Sequence, residues 1–525
     1  MIGKTRAVAP ALLMCAAMLA PAADARAGGM YITDRGTRPL GRGFAFVAGA
    51  DDAGALWYNP AGLAFAGEQF FLDTTITLFE GDFARVDSGG TRLPTVSTTP
   101  PILPIPMIAY TNSLGLEHFN FGAGVLVPNL VPFAWPEEID AGGRPAPAPQ
   151  RYSLISLDGS ALAHIVIGAS WQPTPELSIG ASFQLIAGRL LARTALSACD
   201  GVICAQPENP EFDSMSEVDL AVVTPTVSAG IIYDTGMVRL GASVQAPHWI
   251  YGPASIRVRL PTASVFDGAW VDGDSGSMSL PMAWMLRVGA EVRPMRELRV
   301  EGSVVLEGWG IQQEMTISPS DVYMRDVRAL GDYQVGDISI PRHMNNVWSF
   351  RLGGEYDLGP VTVRAGANYE TTGFDDEYLT ALTLDSNKLI VGLGASVEVS
   401  KGIFIDASYG HVFLEDREVT TSRVPQANPI RPPAPDPVYI GNGTYTMEAN
   451  MFGVGMRWTF EPDATAPAEE TDEPAEEPAE GPPPAEPPPA EQTEPPAPDG
   501  GTEEPPPTPE NPETDDRPWY LRGRN

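Results

Sequence analysis

From residue 68 to residue 460 the sequence is a run of segments that alternate apolar and polar residues, joined by connections that are short and long in strict turn. A period of two predicts strands, because successive side chains of a strand point to opposite faces. The pattern predicts fourteen: 68–83, 105–114, 117–127, 151–172, 176–193, 216–234, 237–260, 277–293, 296–310, 344–358, 360–372, 384–399, 402–417 and 444–460. Every second strand ends in a tight turn, as at Asp234-Thr235-Gly236 and Leu358-Gly359-Pro360. The intervening connections, such as 84–104, 128–150 and 311–343, are long and irregular. All long loops at one end is the pattern of an outer-membrane barrel, and a soluble sandwich has no reason to keep it. The expected fold is all-β: a 14-stranded antiparallel transmembrane β-barrel, with both termini on the periplasmic side.

The faces of the strands fit a barrel. In 282–291, Met282, Trp284, Leu286 and Val288 share one face, and Arg287, Gly289 and Glu291 the other. Trp348, Phe350 and Leu352 oppose Ser349, Arg351, Gly353 and Glu355. A soluble protein turns its apolar face inward, whereas a membrane barrel turns it to lipid around a polar lumen. Alternation alone does not separate the two. Trp171, Trp309, Trp348, Tyr369 and Trp458 near strand ends favour the membrane, since these rings collect at its interfaces.

Outside that region the chain changes character. Residues 1–27 read as an export signal: Lys4 and Arg6, an apolar run over 7–20, then Ala25-Arg26-Ala27 at the cleavage position. Residues 28–67 are rich in Gly and Ala and end in Tyr58-Asn59-Pro60-Ala61-Gly62-Leu63-Ala64, where proline breaks regular structure among small residues. Such a segment suits a plug, or hatch, folded tightly inside the barrel. Residues 461–525 hold 19 prolines and 19 acidic residues against three arginines, so a disordered periplasmic tail is expected. Two cysteines remain after the signal, Cys199 and Cys204, and an even pair in an exported chain predicts a disulfide. A net charge of −34 argues against a nucleic-acid partner.

Gly36-Thr37-Arg38-Pro39-Leu40-Gly41-Arg42-Gly43, Asp51-Asp52 leading to Asn59-Pro60-Ala61, and fourteen strands ending at Phe460 together resemble the FadL-type outer-membrane transporters, which carry long-chain fatty acids and aromatic hydrocarbons. The resemblance covers residues 28–460. It implies that Asn59, Pro60 and Ala61 lie in a hatch that gates the barrel. It further implies passive uptake: apolar outer loops collect a hydrophobic compound, most simply a long-chain fatty acid, which then leaves sideways near the third strand. Leu130, Val131, Phe133 and Trp135 are candidates for the landing surface, or else pack their loop onto its neighbours. Gly122 and Gly124 are candidates for a kink in the third strand, or mark simple tapering. Arg287, Arg351 and Arg364 are candidate carboxylate contacts, although Glu291, Glu301, Glu355 and Glu370 offer them ion pairs.

No enzyme is expected, because His118, His164, His248, His343 and His411 are scattered and sit in no catalytic motif. No cofactor or metal is called for. The expected partners are outer-membrane lipid, the hydrophobic cargo and the barrel-assembly machinery of a Gram-negative cell, with the protein as a monomer. The rivals are a barrel that acts as a tether through its acidic tail, a carrier of neutral hydrocarbons, and an open porin, which would need no plug.

Overall fold

The computed structural model describes residues 34–460 apart from 100–104, 128–133, 200–203, 205, 207, 329 and 429–436. The export signal and the tail therefore lie outside the described residues, as do Leu130, Val131 and Phe133.

Fourteen antiparallel strands close into a barrel. They are β1 Gln69–Arg85, β2 Ile105–Asn112, β3 Phe119–Leu126, β4 Ala161–Thr174, β5 Leu177–Ser197, β6 Asp213–Asp234, β7 Val238–Gln245 continued by His248–Arg259, and β8 Ser275–Met282 continued by Met285–Met295. Then follow β9 Leu298–Glu307, β10 Val347–Asp357, β11 Val361–Glu370, β12 Lys388–Ser400, β13 Ile403–Leu414 and β14 Gly443–Thr459. Closure is a full ladder between β1 and β14, from Gln69 opposite Thr459 to Arg85 opposite Gly443. This ladder joins the first strand to the last, so the sheet closes on itself with no free edge there.

The barrel is apolar outside and polar inside. Ile167, Val223, Val288, Leu352, Leu393 and Val454 are exposed, while Asp73, Gln184, Glu291, Glu301, Arg351 and Asp406 are buried. Burial of charge with exposure of aliphatic side chains reverses the soluble order, and only a hydrocarbon surround makes it favourable.

Three local expectations are corrected. The predicted strand 151–172 begins only at Ala161; residues 151–160 form a packed loop, because Arg151 and Tyr152 both bind Asp213, at 2.6 and 2.7 Å. β7 and β8 are each interrupted, at 246–247 and 283–284, so the inward parity switches within them. Met282 consequently faces inward, opposite in sense to Leu286 and Val288. Trp309 is not an interface residue: beyond β9 the chain turns into the lumen and buries it, with its indole donating to Glu307 at 2.8 Å.

Candidate functional site

The lumen is plugged by the segment 34–67. It contains α1 Thr37–Gly41, α2 Ala55–Tyr58, a 3-10 turn over Pro60–Gly62, and α3 Leu63–Ala66. Asn59 caps that turn: its Oδ1 accepts from Ala61 N–H at 3.2 Å, while Nδ2 donates to the carbonyls of Val47 and Ile231. Ser178 Oγ donates to Ala61 O at 2.7 Å, and Ser243 Oγ to Tyr58 O at 2.6 Å. The wall thus holds both sides of the Asn59-Pro60-Ala61 turn by its carbonyls.

Inward-facing glycines make room for the plug. Gly180 faces the Pro60–Ala61 peptide, Gly353 and Gly366 face Arg42, and Gly392 faces Leu40; a Cβ at any of them would overlap that backbone. Several are direct cross-strand partners, such as Gly353 with Gly366 and Gly366 with Gly392. Glycine is required there because a β-carbon would stand where the plug's main chain runs. Gly122 belongs to this belt, with Leu56 and Leu63 of the plug against it.

Buried charge ties plug to wall. Arg42 binds Glu291 at 2.8 Å and Glu301 at 3.3 Å, and Glu301 also accepts from the consecutive amides of Val47, Ala48 and Gly49. Arg38 binds Asp51, Asp52 and Glu355, and Arg299 reaches the same Asp51 and Glu355 from the wall. Burial pushes the Asp51 carboxyl up, but the Arg299 and Arg38 guanidiniums override it and hold Asp51 well below the usual carboxylate range.

Toward the long loops the plug ends and a cavity of about 220 Å³ begins. Leu154, Ile250, Met315, Trp309 and Phe374 line it, with His164, His248 and Arg342 as its ionisable groups. The His164 ring meets Trp57 of the plug with centroids 5.6 Å apart, which sets plug and cavity in contact. His164 Nδ1 lies 3.0 Å from Gln184 Oε1, and Gln184 Nε2 donates to Ser228, so Nδ1 of His164 carries the proton. Arg342 lies over the Phe374 ring at 5.2 Å and has no carboxylate partner among the described residues.

The sequence candidates distribute as follows. Arg351 is bound to Asp34 at 2.6 Å, and Arg364 to Glu355 and Asp406. Arg287 is buried over Trp57 of the plug. None of the three lines the cavity, so they are not carboxylate contacts within it. Trp135 is buried and donates to Ala381 O at 3.1 Å, so it packs its loop inward and presents no landing surface. β3 keeps unbroken register with β2 and β4, so Gly122 and Gly124 form no bulge. Cys199 and Cys204 are bonded to each other. Arg342 was missed because it lies in a predicted outer loop, 311–343, whose fold into the barrel mouth leaves no mark in alternation. Pro247, in mid-strand, was a visible signal of the break in β7.

A family model described as outer membrane protein transport protein (OMPP1/FadL/TodX) matches residues 18–460. Among solved structures, a Pseudomonas aeruginosa FadL homologue is similar at 16% identity and TM-score 0.65, covering 83% of this chain and 100% of its own. The Pseudomonas putida toluene transporter TodX is similar at 18% identity and TM-score 0.56, covering 82% and 100%. The Ralstonia pickettii toluene transporter TbuX gives 16% and 0.54, covering 82% and 99%. No curated protein matches in sequence.

Proposed function

The chain belongs to the outer-membrane transport protein family of FadL and TodX, whose members move hydrophobic compounds, and from that premise we propose that its cargo is a long-chain fatty acid held by Arg342 in the cavity above the plug. The observation that carries the reading is a guanidinium without a carboxylate partner among the described residues, in a lining that is otherwise mostly apolar. A charge in such a place is costly unless a counter-charge arrives. A fatty-acid carboxylate supplies it, and the acyl chain covers the apolar walls. Transport is passive. Residues 28–67 act as the hatch, with Asn59, Pro60 and Ala61 as its hinge against β5 and β6. The short turns and both termini face the periplasm. Because the plug fills the lumen backbone to backbone, cargo leaves through the wall into the bilayer, which spares it the aqueous periplasm.

A second reading is a neutral monoaromatic, favoured by the cavity's size. About 220 Å³ is close to the ~150 Å³ of an engineered apolar cavity that binds benzene. Uptake of labelled oleate and labelled toluene, by cells lacking their own transporters and expressing the chain or Arg342→Met, separates the two. Oleate uptake that falls roughly tenfold or more, with toluene unchanged, supports the fatty acid. Toluene uptake with no oleate uptake moves the assignment to hydrocarbons. Uptake of neither, by a folded barrel at the surface, overturns both.

A further inference from the structure

The outer wall carries a cluster of cations at one height. Along β6 the outward residues alternate from Tyr233 to Ala221, and none of them is charged. At the usual rise and tilt that stretch climbs roughly 30 Å, against about 25 Å for the apolar band of a membrane barrel. The next two outward residues are Asp219 and Glu217. At the same level β5 turns Arg189 and Arg193 outward, and β7 turns Arg257 and Arg259. The change from apolar to charged therefore falls where hydrocarbon gives way to headgroups, at the end toward the long loops.

The carboxylates gather the arginines without using them up. Arg189 Nε donates to Asp219 at 2.6 Å. Glu217 is shared by the two residues directly opposite it, Arg193 of β5 at 2.8 Å and Arg257 of β7 at 2.7 Å. Arg259 extends the row and has no carboxylate partner among the described residues. With Asp274 at the edge, bound to Ser255 Oγ at 2.7 Å, cations still outnumber carboxylates. The side chains of Arg189, Arg193 and Arg257 are 52, 55 and 56% exposed. Each guanidinium has five N–H donors, so most remain open to whatever surrounds the wall. Pairs this exposed contribute little to folding, so stability does not account for four arginines in one place. Elsewhere on the rim the sign reverses: Glu80 of β1 lies directly opposite Glu448 of β14, both exposed. The basic face thus belongs to β5–β7 and is not a general property of the rim.

We infer that the β5–β7 face binds the phosphate groups of the outer-leaflet glycolipid, lipopolysaccharide. Arg193, Arg257 and Arg259 take phosphate oxygens, because the planar guanidinium fork matches phosphate with two parallel hydrogen bonds. The acyl chains of the same molecule lie below on Phe183, Val223 and Tyr251, which are exposed on the wall. Headgroup and chains are thus met by one continuous surface. The inference rests on the reading that the long loops face outside, and it is independent of the cargo.

The test titrates the purified full-length barrel in detergent with bisphosphorylated lipid A, with its dephosphorylated form and with phosphatidylglycerol. The parent should bind the bisphosphorylated form roughly tenfold or more tightly than the dephosphorylated one, as for charge-assisted contacts to phosphate. Arg193→Gln combined with Arg257→Gln and Arg259→Gln should bind the two forms alike. Arg325→Gln, which makes the same change of charge in an outer loop, should keep the parent's preference. Folding is checked by heat-modifiable mobility. Should the triple variant fold poorly, Arg259→Gln alone, which breaks no ion pair, should still lose roughly threefold of the preference. Equal binding of the two lipid A forms by the parent, or an unchanged preference in the folded variant, overturns the inference. Phosphatidylglycerol bound as tightly as lipid A overturns it too, because the face would then take any anionic lipid. Orientation is read separately from Ala141→Cys, exposed in a long loop, with a membrane-impermeant maleimide on intact cells. Cys199 and Cys204 are bonded to each other and do not compete for the reagent. Labelling is expected. Protection of that cysteine would overturn the outer-leaflet partner through the orientation reading, a different failure from loss of phosphate selectivity.

Discussion

In the half of the lumen toward the short turns, glycines let the main chain of residues 34–67 lie directly on the wall, and Arg38 and Arg42 are locked among Asp51, Glu291, Glu301 and Glu355. In the half toward the long loops, Leu154, Ile250, Met315 and Phe374 surround open space, and Arg342, the one cation in that cavity lining, has no carboxylate partner among the described residues. Arg38 and Arg42 in the first half belong to a structure that fills the lumen, whereas Arg342 in the second borders open space. The two halves touch at Trp57 and His164. Changes in the first half should therefore alter sealing, and changes in the second should alter selection.

The largest effect is expected from Arg42→Met. It leaves buried Glu301 with only the Val47–Gly49 amides and Glu291 with only Arg293, and removing one partner of a buried pair costs about 3–5 kcal/mol. The plug should loosen and the barrel conduct ions; planar-bilayer recordings should show steady conductance absent from the parent. A parent-like silent trace would mean that the glycine seat holds the plug alone. Gly366→Val tests that seat. Its side chain would occupy the place of the Arg42 main chain, and overpacking of this kind typically costs about 1–3 kcal/mol. Conductance should again rise, with oleate affinity of the purified barrel unchanged if the halves are independent.

Arg342→Met should do the reverse: no conductance, but oleate binding weakened roughly tenfold or more, as for loss of a charge-assisted hydrogen bond. Leaky barrels from Arg342→Met would erase the distinction between the halves.

The barrel was legible because alternation and loop length are local signals repeated along the chain, and a misplaced start such as 151 for β4 does not change the strand count. The plug was legible from its composition: glycines, and Asn59 ahead of Pro60, in a segment without alternation. Which arginines face cargo was not. Arg287, Arg351 and Arg364 have the inward parity that was sought, but parity says nothing of Asp34 or Trp57, which reach them from over 200 residues away in sequence. Arg342 enters the lumen from a loop, where no period exists to read.

The smallest effect sharpens the sealing half. Asp51 is shared by Arg38 and Arg299, and its carboxyl is held well below the ordinary value of about 4. A carboxyl with a depressed pKa stabilises the closed plug in full above that ordinary value, and the contribution is lost only as pH falls toward the depressed one. Asp51→Asn removes the contribution and leaves the other charges in place. The difference in thermal stability between parent and Asp51→Asn should thus be the same at pH 8 and pH 5, and shrink below about pH 4. A difference that already shrinks between pH 8 and pH 5 would mean that Asp51 titrates in that range. The Arg38–Asp51–Arg299 contact would then be a pH-sensitive latch, and the sealing half would itself respond to its surroundings.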